Sequence, residues 1–248
     1  MISTPFDPLE LALRVEQSVL RGESRLYYRF RGGQWYGGIA TADCCGCPLR
    51  CVFCWGADPR DNPKGYGQFY TPEQVFQNLV RIAEKRGYKL LRLSGNEPTL
   101  GREHLFRILE LVDRTRYTFI LETSGVLLDA DFAKRLSEFS NVHVRVSLKG
   151  ACEEEFSRLT GAKPEGFQLQ LNALRNLVDY GVSCNAALMS SFSTEENISR
   201  LVDRLSKISW NLASELEDEI VILYPKVKKQ LELAGIMPFT SITPDKNM

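Results

Sequence analysis

Six short β-branched or apolar runs, each followed by a stretch with helical apolar spacing, constrain this chain more than any other feature. They fall at residues 36–42, 89–93, 118–122, 142–147, 183–188 and 220–223. Strands joined through helices lie parallel, because the crossover returns the chain to the same end of the sheet, and such crossovers are right-handed. The pattern therefore predicts an α/β fold, either a doubly wound sheet or a partial or complete barrel. In each of these, ligand chemistry gathers at the carboxyl ends of the strands.

The intervening helices carry their own signals. Thr71 and Gln74 form a capping box with Pro72 in the first turn, Val75, Phe76, Leu79, Val80 and Ala83 mark one face, and Gly87 ends the helix. A second capping box is expected at Ser193 and Glu196, ahead of Ile198, Leu201, Val202 and Leu205. A further helix is expected over residues 9–20. The chain then divides into an N-terminal extension (1–35), a core (36–225) and a C-terminal helix and tail (226–248).

Composition narrows the chemistry. Lys plus Arg number 31 and Asp plus Glu 31, so the formal net charge is zero and no global field favours nucleic acid or anionic membranes. No stretch reaches the roughly 18 apolar residues of a membrane span, and the N-terminus lacks a basic region followed by an apolar one. A cytoplasmic protein with no membrane contact is expected. Seven cysteines in such a chain argue against a disulfide framework and for buried, metal-bound or redox-active thiols.

Five of the seven sit in Asp43-Cys44-Cys45-Gly46-Cys47-Pro48-Leu49-Arg50-Cys51-Val52-Phe53-Cys54-Trp55, directly after the first expected strand. Cys47, Cys51 and Cys54 are spaced C-x3-C-x2-C, which lets one short loop aim three thiolates at a single inorganic centre. Zinc and an iron-sulfur cluster both remain open on spacing. Zinc needs a second ligand pair, while His104 and His143 are isolated in an expected helix and strand. Three thiolates around a 4Fe-4S cluster would leave one iron open, as a catalytic metal site requires.

The run CGCPLRCVFCW resembles the signature loop of the radical S-adenosylmethionine superfamily, C-x3-C-x-aromatic-C, with Phe53 at the aromatic position. The resemblance implies that Cys47, Cys51 and Cys54 bind a single 4Fe-4S cluster. S-adenosylmethionine would chelate the open iron, and reductive cleavage would yield a 5'-deoxyadenosyl radical that abstracts hydrogen. Ser94-Gly95-Asn96-Glu97-Pro98 resembles the family's S-G-G-E-P element, which holds the amino group of S-adenosylmethionine through backbone and carboxylate; Asn96 stands where Gly is common. Leu121-Glu122-Thr123-Ser124-Gly125 and Val146-Ser147-Leu148-Lys149-Gly150 resemble the D-T-N-G and D-x-K elements of glycyl-radical-enzyme activating enzymes, typified by the pyruvate formate-lyase activase. Thr123 would then face the ribose or carboxylate of the co-substrate, with Ser147 and Lys149 at its polar end. Glu122 and Ser147 depart from the Asp common there.

For architecture the resemblance implies a partial (βα)6 TIM-like barrel with parallel strands. For function it implies an anaerobic, oxidoreductase-like activating enzyme, with a flavodoxin or ferredoxin type of electron donor and a partner protein as substrate. Two alternatives stand beside it. The loop also resembles that of the archaeal wyosine-base synthase, a tRNA-modifying enzyme, although zero net charge makes nucleic acid the lesser option. A non-enzymatic iron-sulfur or zinc protein would keep the centre fully ligated by protein. Cys152 and Cys184 are expected to be small buried residues, and Cys44 and Cys45 to pack beneath the loop.

Overall fold

The computed structural model describes residues 4–244. Its strands are β1 (Leu20–Arg21), β2 (Ser24–Gly33), β3 (Ile39–Cys44), β4 (Gln68–Tyr70), β5 (Leu90–Gly95), β6 (Thr118–Thr123), β7 (Val142–Leu148), β8 (Cys184–Met189) and β9 (Glu217–Glu219). The helices are α1 (Pro8–Val19), α2 (Ala57–Asp61), α3 (Pro63–Tyr66), α4 (Pro72–Arg86), α5 (Arg102–Asp113), α6 (Ala130–Leu136), α7 (Glu153–Thr160), α8 (Gly166–Asp179), α9 (Glu195–Ser206), α10 (Trp210–Ser214) and α11 (Pro225–Ala234). Among the described residues no helix is long and apolar enough to cross a membrane.

Strands β3, β5, β6, β7, β8 and β9 pair in parallel in that order, and the first and last do not meet. This is the expected partial barrel of six parallel strands, left unclosed. Every residue of β3 is buried, as a parallel strand covered on both faces requires. One continuous core runs from the sheet to the inner faces of α4, α5, α6, α8 and α9, with Leu79, Leu109, Phe132, Leu174 and Leu201 in it. The Thr71–Gln74 capping box is present, and Gly87 closes α4 in the left-handed conformation.

Several boundaries differ from expectation, each for a physical reason. The first barrel strand is 39–44, because Tyr36, Gly37 and Gly38 take positive φ in a tight turn; Cys44 thereby ends the strand. The last strand is 217–219, whose Glu-Asp-Glu sequence has little strand propensity. Arg145 on β7 holds it in place, donating to Glu217 at 2.6 Å and Glu219 at 2.7 Å. Residues 220–223 instead carry the buried Val221 and a bridge from Ile222 to Ile242. The second capping box is replaced by Thr194, whose side chain accepts from the Asn197 amide, while Ser193 donates to Glu155. The extension contains β2, which pairs antiparallel with β3 from Tyr27↔Cys44 to Gly33↔Ile39. Residues 1–3 and 245–248 of the expected extension and tail lie outside the described residues.

The rim of the barrel is fastened by one carboxylate. Glu97, just beyond β5, is buried and accepts from Thr99 N at 3.2 Å, Thr99 Oγ1 at 2.7 Å, Thr123 Oγ1 at 2.6 Å and Ser124 N at 2.9 Å. The Ser124 hydroxyl is a fifth donor. These bonds tie the end of β5 to the end of β6. Glu97→Gln replaces an acceptor-only group with one that turns an NH2 toward two donors, and buried charge-assisted bonds are worth about 1.5–3 kcal/mol each. We expect the metal-free variant to lose about 2–4 kcal/mol of stability, read as a lower midpoint in urea. An unchanged midpoint would show that Glu97 does not brace the fold.

Candidate functional site

The cysteine loop leaves β3 at Cys44 and runs into α2. Tight approach to the neighbouring strand end requires glycine at position 95: its φ is +93°, and a Cβ there would lie 2.9 Å from both Asp43 Cα and Cys44 N. The ends of the loop are clamped by a single side chain. Asn96 Oδ1 accepts from Gly46 N at 3.0 Å and Asn96 Nδ2 donates to Gly56 O at 3.0 Å. The residue that departs from the S-G-G-E-P pattern thus spans the loop from before Cys47 to after Cys54.

The interior of the loop is braced from other elements. Arg25 on β2 is buried and donates to the carbonyls of Cys45, Glu97 and Pro98. Arg50 donates to Cys47 O and Leu49 O, and Arg60 to Cys51 O at 2.9 Å. Asp61 takes both guanidinium groups, Arg60 at 2.6 Å and Arg50 at 3.3 Å. Gln230 on α11 reaches Val52 O and Cys54 O, and the amides of Arg50 and Val52 donate to Thr160 O and Leu159 O. Phe53 is buried and stacks on Phe192 with ring centroids 5.4 Å apart. The 58–67 segment, turn-rich in sequence, folds into α2 and α3 and supplies Arg60 and Asp61.

All seven cysteines are free thiols. Burial pushes Cys47 well above the ordinary thiol range, reinforced by Glu97, Cys51 and Cys54. Burial raises Cys51 to about 11, with Lys149 and Arg60 opposing and Cys54 reinforcing. Burial also raises Cys54, against Arg60 and Lys149. Burial is the largest cause in all three, and the cations Arg60 and Lys149 oppose it at Cys51 and Cys54. Among the described residues, no three His, Cys, Asp or Glu side chains converge on a single metal ion. Three cysteines on one loop are the donor type that an iron-sulfur cluster takes. His104 is bonded to Tyr27 and the Glu23 carbonyl, and His143 to Ser183 and Asn185.

The other rim residues fall into two groups. Gly95, Asn96, Glu97 and Thr123 form one bonded unit behind the loop, with the Thr123 hydroxyl and the Glu97 carboxylate spent on each other. Lys149 and Ser147 form a second: Lys149 Nζ donates to Ser147 Oγ at 2.5 Å, and Ser147 Oγ to Glu219 Oε2 at 2.8 Å. Burial works against ionisation of Glu219, but Lys149 and Arg145 beside it leave its carboxyl below the usual range. Glu122 pairs with Arg92 at 2.8 Å and accepts from Ser94 at 2.6 Å. The inner face of the sheet is thus lined by paired charges that no motif announced. Cys44 and Cys45 are fully buried; Cys152 and Cys184 are half-buried, less covered than expected, because one caps α7 and the other opens β8.

A family model described as the Radical SAM superfamily matches residues 43–205. The probable GTP 3',8-cyclase of Thermococcus kodakarensis is 32% identical over 155 residues, which cover 60% of this chain and 47% of that protein. The PqqA peptide cyclase of Granulibacter bethesdensis is 25% identical over 219 residues, covering 80% and 57%. The chain spans about half the length of these curated relatives. The solved structure of Streptococcus suis SuiB bound to its precursor peptide SuiA superposes with a TM-score of 0.57 over 68% of this chain and 36% of that one; at 18% identity the likeness is one of fold. With the cysteine loop, the unclosed six-stranded barrel and a match over most of the core, the chain belongs to the radical SAM superfamily.

Proposed function

We propose that this chain is the core of a radical S-adenosylmethionine enzyme with one 4Fe-4S cluster held by Cys47, Cys51 and Cys54. The observation that carries this reading is the set of three free thiols at C-x3-C-x2-C spacing on one loop whose carbonyls and ends are held by Arg50, Arg60, Gln230 and Asn96. When bound, the cluster and co-substrate would supply a 5'-deoxyadenosyl radical after one-electron reduction by an external flavodoxin or ferredoxin type of donor. The chain's own residues do the rest. Arg50, Arg60 and Gln230 hold the loop carbonyls, Asn96 fixes its ends, and Glu97 with Thr123 keeps the 95–97 backbone in position for the amino group of S-adenosylmethionine. Lys149, with Ser147, is the cation we assign to its carboxylate, and Phe53 packed on Phe192 covers the loop.

For the substrate we favour a peptide over the glycyl-radical enzyme that the rim motifs suggested. The PqqA peptide cyclase aligns with 80% of the chain, and the relatives named above are cyclases and a peptide-binding protein, with no activating enzyme among them. The paired charges Arg92–Glu122 and Arg145–Glu217 on the inner face suit a polar segment entering the barrel. The likeness to a GTP 3',8-cyclase supports a second reading, a nucleotide substrate on the same face.

Anaerobic reconstitution with iron and sulfide, followed by dithionite and S-adenosylmethionine, should release 5'-deoxyadenosine. Cys54→Ala should abolish that release. Bound zinc without labile sulfide, or a cluster whose spectrum ignores S-adenosylmethionine, would sink the reading.

Asn96→Ala removes the side-chain bridge between Gly46 N and Gly56 O and leaves each group only its backbone partner, Pro59 O and Arg60 N; two lost hydrogen bonds are worth about 0.5–1.5 kcal/mol each. The variant should fold yet retain less iron per chain than wild type after gel filtration. Equal retention would mean that the amide clamp is not what shapes the loop.

A further inference from the structure

Tyr28, on β2, belongs to none of the motifs above. Its hydroxyl oxygen is sealed from solvent and has no hydrogen-bond partner; among the described residues only Arg25 Nε and Asn141 Oδ1 share that state. A buried hydroxyl without a partner is costly and uncommon, so one pointing into a site asks what it is meant to meet. Its surroundings are specific. A Cβ placed on Gly56 would stand 3.6 Å from the Tyr28 hydroxyl, 3.0 Å from Asn96 Nδ2 and 4.0 Å from Cys54 Sγ. The phenol, the loop clamp and the third thiol therefore border one spot, which glycine leaves free of a side chain. The nearby carboxylate of Asp43 is already engaged by Arg29 at 2.7 Å and Arg31 at 2.8 Å. Burial keeps the phenol protonated, so the hydroxyl has a proton to give.

We propose that Tyr28 is a further binding residue of this site, its hydroxyl donating a hydrogen bond to an anionic acceptor bound beside Cys54. That acceptor is either a sulfur of the thiolate-bound cluster or the carboxylate of S-adenosylmethionine. The inference rests on the proposed function and assigns to it a residue from the antiparallel edge of the sheet, outside the matched core.

Tyr28→Phe removes one oxygen and leaves the ring packing in place. In the metal-free protein it deletes an unpartnered polar atom, so the thermal midpoint should stay level or rise. In the reconstituted protein two measurements separate the acceptors. An EPR-monitored redox titration without S-adenosylmethionine should show a lower midpoint potential if a cluster sulfur accepts, because a lost donor destabilises the more negative reduced state. Equilibrium dialysis with S-adenosylmethionine should show about tenfold weaker binding, at unchanged potential, if the carboxylate accepts. Either result supports the assignment. A wild-type chain that loads normally beside a Tyr28→Phe variant with the same potential and the same affinity overturns it. A wild-type chain that takes up no iron and sulfide overturns the proposed function and this inference together.

Discussion

The Glu97 carboxylate is the fastening on which the rim depends. A loop with three thiols has no intrinsic reason to hold them at one separation; its backbone has many conformations and few internal bonds. Here its shape is imposed from outside, and the chain of imposition starts at Glu97. Five donors from Thr99, Thr123 and Ser124 fix the turn after β5. Fixing that turn places Asn96, which reaches both ends of the loop, and presents the Glu97 and Pro98 carbonyls to Arg25. A residue whose type suggests ligand binding thus acts first as architecture. The two roles are compatible, because the backbone it immobilises is the part of the segment nearest the loop: Asn96 N donates to Cys44 O and Glu97 N to Gly46 O.

A second constraint comes from the charges on the inner face of the sheet. Arg92–Glu122, Arg145–Glu217 and Arg145–Glu219 span neighbouring strands or strands one apart. Their acid side chains are 19–38% exposed, so solvent screening and desolvation leave little net stability. Their effect is to specify register. Strand β9 is the clearest case: three acidic residues with poor strand propensity pair with β8 at Ala187↔Glu217 and Met189↔Glu219. The guanidinium of Arg145 and the amide of Asn185, which donates to Glu217 at 2.8 Å, hold them there.

What was legible in the sequence follows from these two constraints. Amphipathic helices and central strands were readable because apolar spacing reports burial directly, and α4 with its capping box matched throughout. The cysteine loop and the order of the rim elements were readable because they are local in sequence. Strand β9 was not, since its stability lies in side chains 72 and 74 residues away. Position 36 was not, because Gly-Gly-Gln-Trp-Tyr-Gly-Gly looks like a strand start until the positive φ values show a turn. Arg25, Arg60 and Gln230 were silent for the same reason: each holds a loop carbonyl, and no side-chain pattern encodes which carbonyl an arginine will meet. The signal that could have found Arg60 was its place next to Asp61 in a turn-rich segment that must pack close behind the cysteines.

The flanks therefore carry more of the site than the shared core suggests. The matched region, 43–205, includes the thiols, Asn96, Glu97, Thr123 and Lys149, but it excludes Arg25 and Tyr28 on β2, Glu217 and Glu219 on β9, and Gln230 on α11. Arg25, Tyr28 and Gln230 border the loop, Glu219 meets the rim residue Ser147, and Glu217 pairs with Arg145 on the inner face. Strand β2 delivers its residues because it pairs antiparallel with β3, with Tyr27 opposite Cys44, so the strand that launches the cysteine loop also anchors its second wall. Strand β9 and α11 do the same from the opposite end of the open sheet. An unclosed barrel has two edges, and in this chain both contribute residues to the candidate site. Substitutions on β2, β9 or α11 would then alter the bracing of the loop and the inner-face charge without touching a single cysteine.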